Sequence, residues 1–335
     1  MRYISTQNMI KLIHHIGLET FLVELAECIE EDYKRWDEFD KSPRYVSHSK
    51  QGVNELMPTS DGKMFSFKYV NGHPGNFEKG LQTVVAFGVL CDVETGYPQM
   101  LSEMTIGTAI RTASMSALAA KYLVNQNSTT MAMIGAGCQA EFQAYAFRAI
   151  NGISTLRVYD IDPAVSEKFR KNMQGAGFDI TICTTSQDAI VNADVITTCT
   201  ADKNYATILT DNMVGQGIHI NAIGGDCPGK TELHPDILNR GRVFVEYEPQ
   251  SRIEGEIQQM PKDFKVTELH EVFQSPDPAR KQKQEVTIFD SVGFALQDFS
   301  FLRYLYQKTE DIEAFEILNM IEELDDPRDL FGLLK

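Results

Sequence analysis

The chain has 335 residues, enough for about two domains at ~150 residues each. With 43% hydrophobic and 23% charged residues it has the make-up of a globular chain with a buried core, which excludes disorder and collagen-like structure. A formal charge of −16 repels polyphosphate, so neither nucleic acid nor an anionic membrane is an expected partner.

The first 40 residues read as helix, with Phe21, Leu22, Leu25, Ile29 and Tyr33 at helical spacing among glutamates. The period then changes. Residues 64–70 alternate, Phe65, Phe67 and Tyr69 on one face and Ser66 and Lys68 on the other, as in a strand with one polar face. Residues 81–91 read as a second strand and 97–103, after the Glu94-Thr95-Gly96 turn, as a third. Thr105 is the expected N-cap of a helix reaching Val124, rich enough in Ala, Ser and Thr to pack closely.

From Thr130 strands and helices alternate. Strands are expected at 131–135, 156–160, 180–184, 195–200, 218–223 and 243–247, with helices at 139–150, 164–174 and 187–192. This alternation implies a doubly wound parallel sheet and an α/β fold. A short strand at 286–289 and a helix at 295–307 follow. No apolar run reaches the ~18 residues of a membrane span. The N-terminus has no signal-peptide pattern, and the six cysteines are scattered without a Cys-x-x-Cys. A cytoplasmic chain with reduced thiols and no metal site is expected.

Gly135-Ala136-Gly137-Cys138-Gln139-Ala140 has the form G-x-G-x-x-A, follows an apolar strand and opens a helix. Gly135 makes the tight turn, Gly137 admits a pyrophosphate to the backbone, and Ala140 lets the helix pack on the sheet. Asp160, at the end of the next strand, would accept from a ribose 2′-hydroxyl and repel a 2′-phosphate, favouring NAD over NADP. Two further loops fall at strand ends where a cofactor would lie, 198–201 and 221–226, the second containing Gly224-Gly225. Asp226 is there a candidate general base, although an Asp beside Gly and Pro is ordinarily a turn cap. Arg111 sits in a helix of small apolar residues and needs an anionic partner. Lys68 and Arg44 are ambiguous singly.

Longer segments carry a resemblance: Phe67-Lys68-Tyr69-Val70-Asn71-Gly72-His73-Pro74, Gly224-Gly225-Asp226-Cys227-Pro228-Gly229-Lys230-Thr231-Glu232-Leu233, Val245-Glu246-Tyr247-Glu248-Pro249-Gln250, Arg252-Ile253-Glu254-Gly255-Glu256-Ile257 and Phe289-Asp290-Ser291-Val292-Gly293. Over nearly its whole length the chain resembles the ornithine cyclodeaminase/mu-crystallin family, its cyclodeaminase branch more than its crystallin branch. The resemblance implies a Rossmann-type NAD-binding domain (126–289) inserted into an α+β substrate-binding and dimerisation domain (1–125 plus 290–335). It also implies a homodimer.

By the same resemblance, Arg44, Lys68 and Arg111 would hold a substrate α-carboxylate, and Val292 would touch the substrate. Glu55 and Asp226 would face the side-chain amine, Asp226 as the acid/base. Thr83, Arg111, Gly135, Gly137, Cys138 through its backbone, Gln139, Asp160, Thr200, Asn221, Ala222, Ile223, Gly224, Lys230 and Ser291 would surround NAD. The implied reaction is redox-neutral conversion of L-ornithine to L-proline and ammonia, a step of proline biosynthesis: hydride leaves Cα, the side-chain amine attacks C2, ammonia departs and the hydride returns. Freeing the amine at pH 7 costs about 4.6 kcal/mol for a lysine-like pKa of ~10.4, so a base is expected, and burial is expected to raise Asp226 to that task. The alternatives are a lysine cyclodeaminase, a ketimine reductase, an opine- or alanine-type dehydrogenase, and a non-catalytic NAD-dependent binder of small ligands. One methylene is worth only ~1–3 kcal/mol in a pocket, so lysine stays open.

Overall fold

The computed structural model describes residues 1–201 and 207–335. The first part of the chain runs β1 (Arg2–Ile4), α1 (Thr6–Ile16), α2 (Leu18–Lys34), β2 (Tyr45–His48), β3 (Val53–Ser60), β4 (Met64–Gly72), β5 (Ala86–Asp92), β6 (Pro98–Glu103) and α3 (Thr105–Leu123). The central part runs β7 (Thr130–Ile134), α4 (Ala140–Asn151), β8 (Thr155–Tyr159), α5 (Pro163–Asn172), β9 (Asp179–Ile182), α6 (Ser186–Ile190), β10 (Val195–Thr198), β11 (His219–Ala222), α7 (Pro235–Leu238), β12 (Gly241–Val245), α8 (Glu248–Glu254), β13 (Thr267–Glu268), α9 (Leu269–Gln274) and β14 (Val286–Asp290). It closes with α10 (Ala295–Asp311) and β15 (Glu316–Ile317).

Strands β7 to β14 form one sheet in the order β13-β12-β14-β11-β10-β7-β8-β9, every pair parallel. This is the doubly wound sheet that the alternating pattern implies. The other seven strands form a mixed sheet in the order β15-β1-β6-β5-β4-β3-β2. Its strands come from both chain ends, because β15 pairs with β1. Helix α10 packs on α2, α3 and strands β3 to β5. Helix α3 joins the two halves: it lies against α2 and α4, and 14 of its residues are buried. Its small side chains permit this, since Gly107 passes Phe301 so closely that a Cβ would sit 2.6 Å from the ring.

Several elements differ from the sequence reading. The N-terminal helical stretch is two helices and a strand; Gly17, at φ +87°, breaks the helix, and β1 joins the sheet beside β6. Strand β5 starts at Ala86, so residues 81–85 are irregular. Strand β3, which the sequence reading does not pick out, carries Pro58 opposite Phe67. The missing N–H is tolerated because β2 pairs with β3 only through Leu56. Thr105 is the first helical residue rather than the cap. The Glu103 carboxylate accepts from the Thr105, Ile106 and Gly107 N–H groups.

The alternation of β4 is as expected, and its polar face points inward. Lys68 and Ser66 are fully buried beneath α10, while Phe65 lies partly exposed on the far face. Burying an ammonium requires a partner, and that partner defines the site.

Candidate active site

The carboxyl ends of β7, β8, β10 and β11 bring the predicted cofactor loops together. Gly135 ends β7 at φ +95°, and a Cβ there would lie 2.7 Å from the Cys199 carbonyl oxygen; backbone and space both require glycine. A Cβ on Gly137 would meet nothing within 4 Å, so that side of the turn is open to a ligand. Asp160 Oδ2 accepts from the Ala136 N–H at 2.8 Å and Oδ1 from the Asp162 N–H at 2.9 Å, tying the fingerprint to the end of β8. Cys138 is exposed, and Gln139 stands at the N-cap of α4 with its Oε1 buried and without a partner among the described residues.

Thr200 donates to Glu232 Oε1 from N at 2.8 Å and from Oγ1 at 2.5 Å. Burial raises the Glu232 carboxyl above its ordinary range, against the hydrogen bond from Thr200, and its Oε2 has no partner among the described residues. Gly224 lies so close that a Cβ would fall 2.1 Å from that carboxylate. Ala222 is buried, and Ile223 N–H returns to the Thr198 carbonyl at 3.0 Å. Asn221 faces inward, its Nδ2 donating to Gln143 Oε1 and Thr197 Oγ1. Thr83 stands just before β5, its carbonyl accepting from the His73 N–H at 2.9 Å.

The charged residues converge from the other half. Lys68 Nζ donates to Asp298 Oδ1 at 2.9 Å, and Arg111 Nε lies 3.1 Å from the same oxygen. Arg111 Nη1 also donates to Gln297 Oε1 at 2.7 Å. The anion that Arg111 needs is thus Asp298, in the first turn of α10, where the helix dipole favours a negative charge. Burial and the neighbouring Arg111 lower Lys68 to about 7, against the pull of Asp298.

Arg44 forms the second cluster. Its Nη1 donates to Glu55 Oε2 at 2.9 Å, and Nε pairs with Glu254 Oε2 at 3.2 Å. Its Nη2 donates to the carbonyls of Val292 and Gly293 at 2.5 and 2.6 Å. The two clusters meet at this 292–293 turn. Gly293 is at φ +74°, and a Cβ there would collide with Arg111 Nη1 at 2.4 Å. The buried Glu246 carboxylate fixes the turn from behind, accepting from Ser291 Oγ, Val292 N–H, Gly293 N–H and Gln297 Nε2.

The sequence reading expects Asp226, its candidate acid/base, to be buried; the structure leaves it at the surface. The Asp226 side chain is 55% exposed, with Lys230 Nζ 3.2 Å from Oδ1. Beside Arg44, burial raises the Glu254 carboxyl to about 7; Arg44 opposes the shift, and the negative charges of Glu55 and Asp226 add to it. Glu254, Asp298, Glu246 and Glu232 were not singled out as site residues. Three of them stand in the long segments quoted for the resemblance, and Asp298 lies five residues beyond Gly293.

The arrangement therefore offers three things: an open glycine turn at strand ends, a cationic clamp around one internal carboxylate, and a guanidinium among three carboxylates. The sequence model of the ornithine cyclodeaminase/mu-crystallin family matches residues 6–313. An ornithine cyclodeaminase of Brucella suis biovar 1 (strain 1330) is 59% identical over 332 residues, covering 99% of this chain and 93% of the relative. A lysine cyclodeaminase, solved to explain recognition of L-lysine, L-ornithine and L-2,4-diaminobutyric acid, superposes with TM-score 0.91 at 26% identity, over 98% of each chain. An archaeal alanine dehydrogenase dimer with bound NAD superposes with TM-score 0.87 at 29% identity, over 96% of this chain and 99% of the other.

Proposed function

The chain belongs to the ornithine cyclodeaminase/mu-crystallin family, and from that premise we propose that it converts L-ornithine to L-proline and ammonia with NAD as its resident cofactor. The observation that carries this reading is the pairing of opposite charge demands around the 292–293 turn. Lys68, Arg111 and Asp298 together leave one positive charge, which suits one α-carboxylate. Arg44, Glu55, Glu254 and the nearby Asp226 leave an excess of negative charge, which suits a second, cationic amine. A diamino acid satisfies both.

The loops fit a dinucleotide. Gly135 and Gly137 clear its path, Gln139 keeps a buried acceptor free, and Asp160 stands at the end of β8 for a ribose hydroxyl. Thr83, Cys138, Thr200, Asn221, Ala222, Ile223, Gly224, Lys230, Ser291 and Arg111 complete our assignment of the cofactor surroundings. NAD, when bound, supplies hydride acceptance from Cα and hydride return to the same carbon.

The residues of this chain do the rest. Lys68 and Arg111 hold the carboxylate, joined by Arg44 from the amine side of the 292–293 turn that both clusters share, and so fix Cα; Arg suits this because its planar fork meets a carboxylate through two bonds. Val292, buried at the turn, bounds the substrate carbon chain. Asp226 and Glu55 face the side-chain ammonium, and Glu254, poised near neutrality, stores the proton that the amine gives up before it attacks C2. Ammonia then leaves as the protonated amine, and the cyclic imine accepts hydride to become proline.

We assign residues 1–125 plus 290–335 to substrate binding and dimerisation and 126–289 to NAD binding. The mixed sheet supports a homodimer: Tyr69 stacks on Phe87 across β4 and β5 at 5.2 Å, and Phe87 is 44% exposed on the face away from α10. A second copy covering that face removes it from water. Sedimentation showing a stable monomer at micromolar concentration would refute the dimer. Six free cysteines accord with a reducing cytoplasm and with a role in amino-acid metabolism leading to proline.

The test is a mass balance. Enzyme incubated with L-ornithine and NAD+ should yield proline and ammonia in equal amounts without net NADH. Stoichiometric NADH would identify a dehydrogenase instead. L-lysine run in parallel decides whether the longer chain is also accepted.

A further inference from the structure

Asp298 is buried, on α10, far in sequence from the cations it meets, and one of its oxygens has no hydrogen-bond partner among the described residues. Its other oxygen touches both Lys68 Nζ and Arg111 Nε. Two buried cations side by side repel, and the cheaper response of a lysine is to lose its proton. A carboxylate held between them opposes that loss. We infer that Asp298 is the positioning residue of the carboxylate clamp: it keeps the Lys68 ammonium charged and aimed beside Arg111, and it sets the clamp's surplus at one positive charge, so that a single carboxylate completes it.

This rests on the reading that Lys68 and Arg111 receive the substrate carboxylate. Other groups also act on Lys68. Arg111 from α3 and Arg44 from the segment before β2 disfavour its charge, while Asp298 from α10 favours it. Asp298 is therefore the counter-charge on which the ammonium depends, and it stands in the first turn of α10, where the helix dipole favours a negative charge. Arg111 also reaches Gln297 on the same turn of α10, a second tie between helix and clamp.

The test is Asp298→Asn, which keeps shape and removes charge. The Lys68 ionisation should fall by about one to three pH units. It is read in enzyme labelled with 13C at lysine Cε, the signal being assigned by its absence from Lys68→Arg. The alkaline limb of kcat/KM for L-ornithine should move to lower pH by the same amount. KM should rise most at alkaline pH and recover toward wild type in acid, with NAD+ affinity unchanged. Asp298→Glu, which restores the charge, should return the limb toward its wild-type position. A Lys68 ionisation that stays in place in Asp298→Asn overturns the inference. So does a loss of activity uniform across pH and accompanied by a lower Tm, because that marks a structural role only. Failure of the wild-type enzyme to make proline refutes the functional reading instead, and it leaves the Lys68 titration readable.

Discussion

The dinucleotide loops and the charged clamp meet at one turn, yet they are built in opposite ways. The loops are local and act largely through backbone. Gly135, Asp160, Thr200 and Gly224 stand at neighbouring strand ends of one parallel sheet, and at Gly135 and Gly224 the key feature is the missing Cβ, which would strike the Cys199 carbonyl oxygen and the Glu232 carboxylate. The clamp is long-range and acts through side chains. Lys68 and Asp298 are 230 residues apart and fully removed from water. Short-range geometry depends on neighbours along the chain, whereas the buried charge network depends on partners that only the tertiary fold supplies.

The largest expected effect therefore falls on the clamp. Lys68→Met removes the clamp's surplus positive charge and one of the two cations on Asp298, and removing one partner of a buried pair costs ~3–5 kcal/mol. Steady-state kinetics should show kcat/KM for L-ornithine down by about a thousandfold, while NAD+ affinity from fluorescence titration stays close to wild type. Equal losses in both would dissolve the distinction between the two regions.

Gly135→Ala is the converse. Its positive φ and the Cys199 carbonyl oxygen at 2.7 Å make the substitution costly, by ~1–3 kcal/mol of backbone strain. NAD+ binding should weaken about tenfold or more, and kcat at saturating NAD+ should be largely kept. Unchanged NAD+ affinity would move the cofactor away from this turn.

A third change sharpens the boundary at Arg44. Because the folded Glu254 carboxyl sits near 7, above its unfolded value, its contribution to stability is full in acid and is lost as pH rises through about 7. Urea unfolding of Glu254→Gln should show a smaller fall in stability between about pH 5 and about pH 8 than wild type. The kcat/KM profile should lose its limb near neutrality. A wild-type profile in the variant would return the proton to Asp226.

The smallest effect concerns cofactor choice. Asp160→Ser removes the negative charge beside the ribose site and should narrow the preference for NAD over NADP by about tenfold, or ~1.4 kcal/mol, measured as the ratio of the two dissociation constants. An unaltered ratio would leave Asp160 as only the acceptor for the Ala136 N–H.

The same contrast explains what could be read from the chain. The parallel sheet was legible because each strand and its glycine turn lie within a few residues, and hydrophobic period plus Gly135 and Gly137 suffices. Arg111 could be recognised as needing an anion, because an arginine among alanines and serines is itself a local contradiction. Its partner could not, since Asp298 looks like any acidic residue in a helix's first turn. The strand-end position of Asp226 could be read, but its burial could not, because burial is a tertiary property: the fold buries Glu254 and exposes Asp226. Strand β3 was hidden by Pro58, whose tolerance depends on how far β2 reaches.

The central claim is that hydride leaves and returns to one carbon within a closed site that clamps the carboxylate and drains the amine proton. L-ornithine carrying deuterium at Cα tests it most directly. The account predicts L-proline that retains the deuterium at Cα, with no deuterium released to solvent and no NADH accumulating; proline carrying solvent hydrogen at that carbon would contradict it.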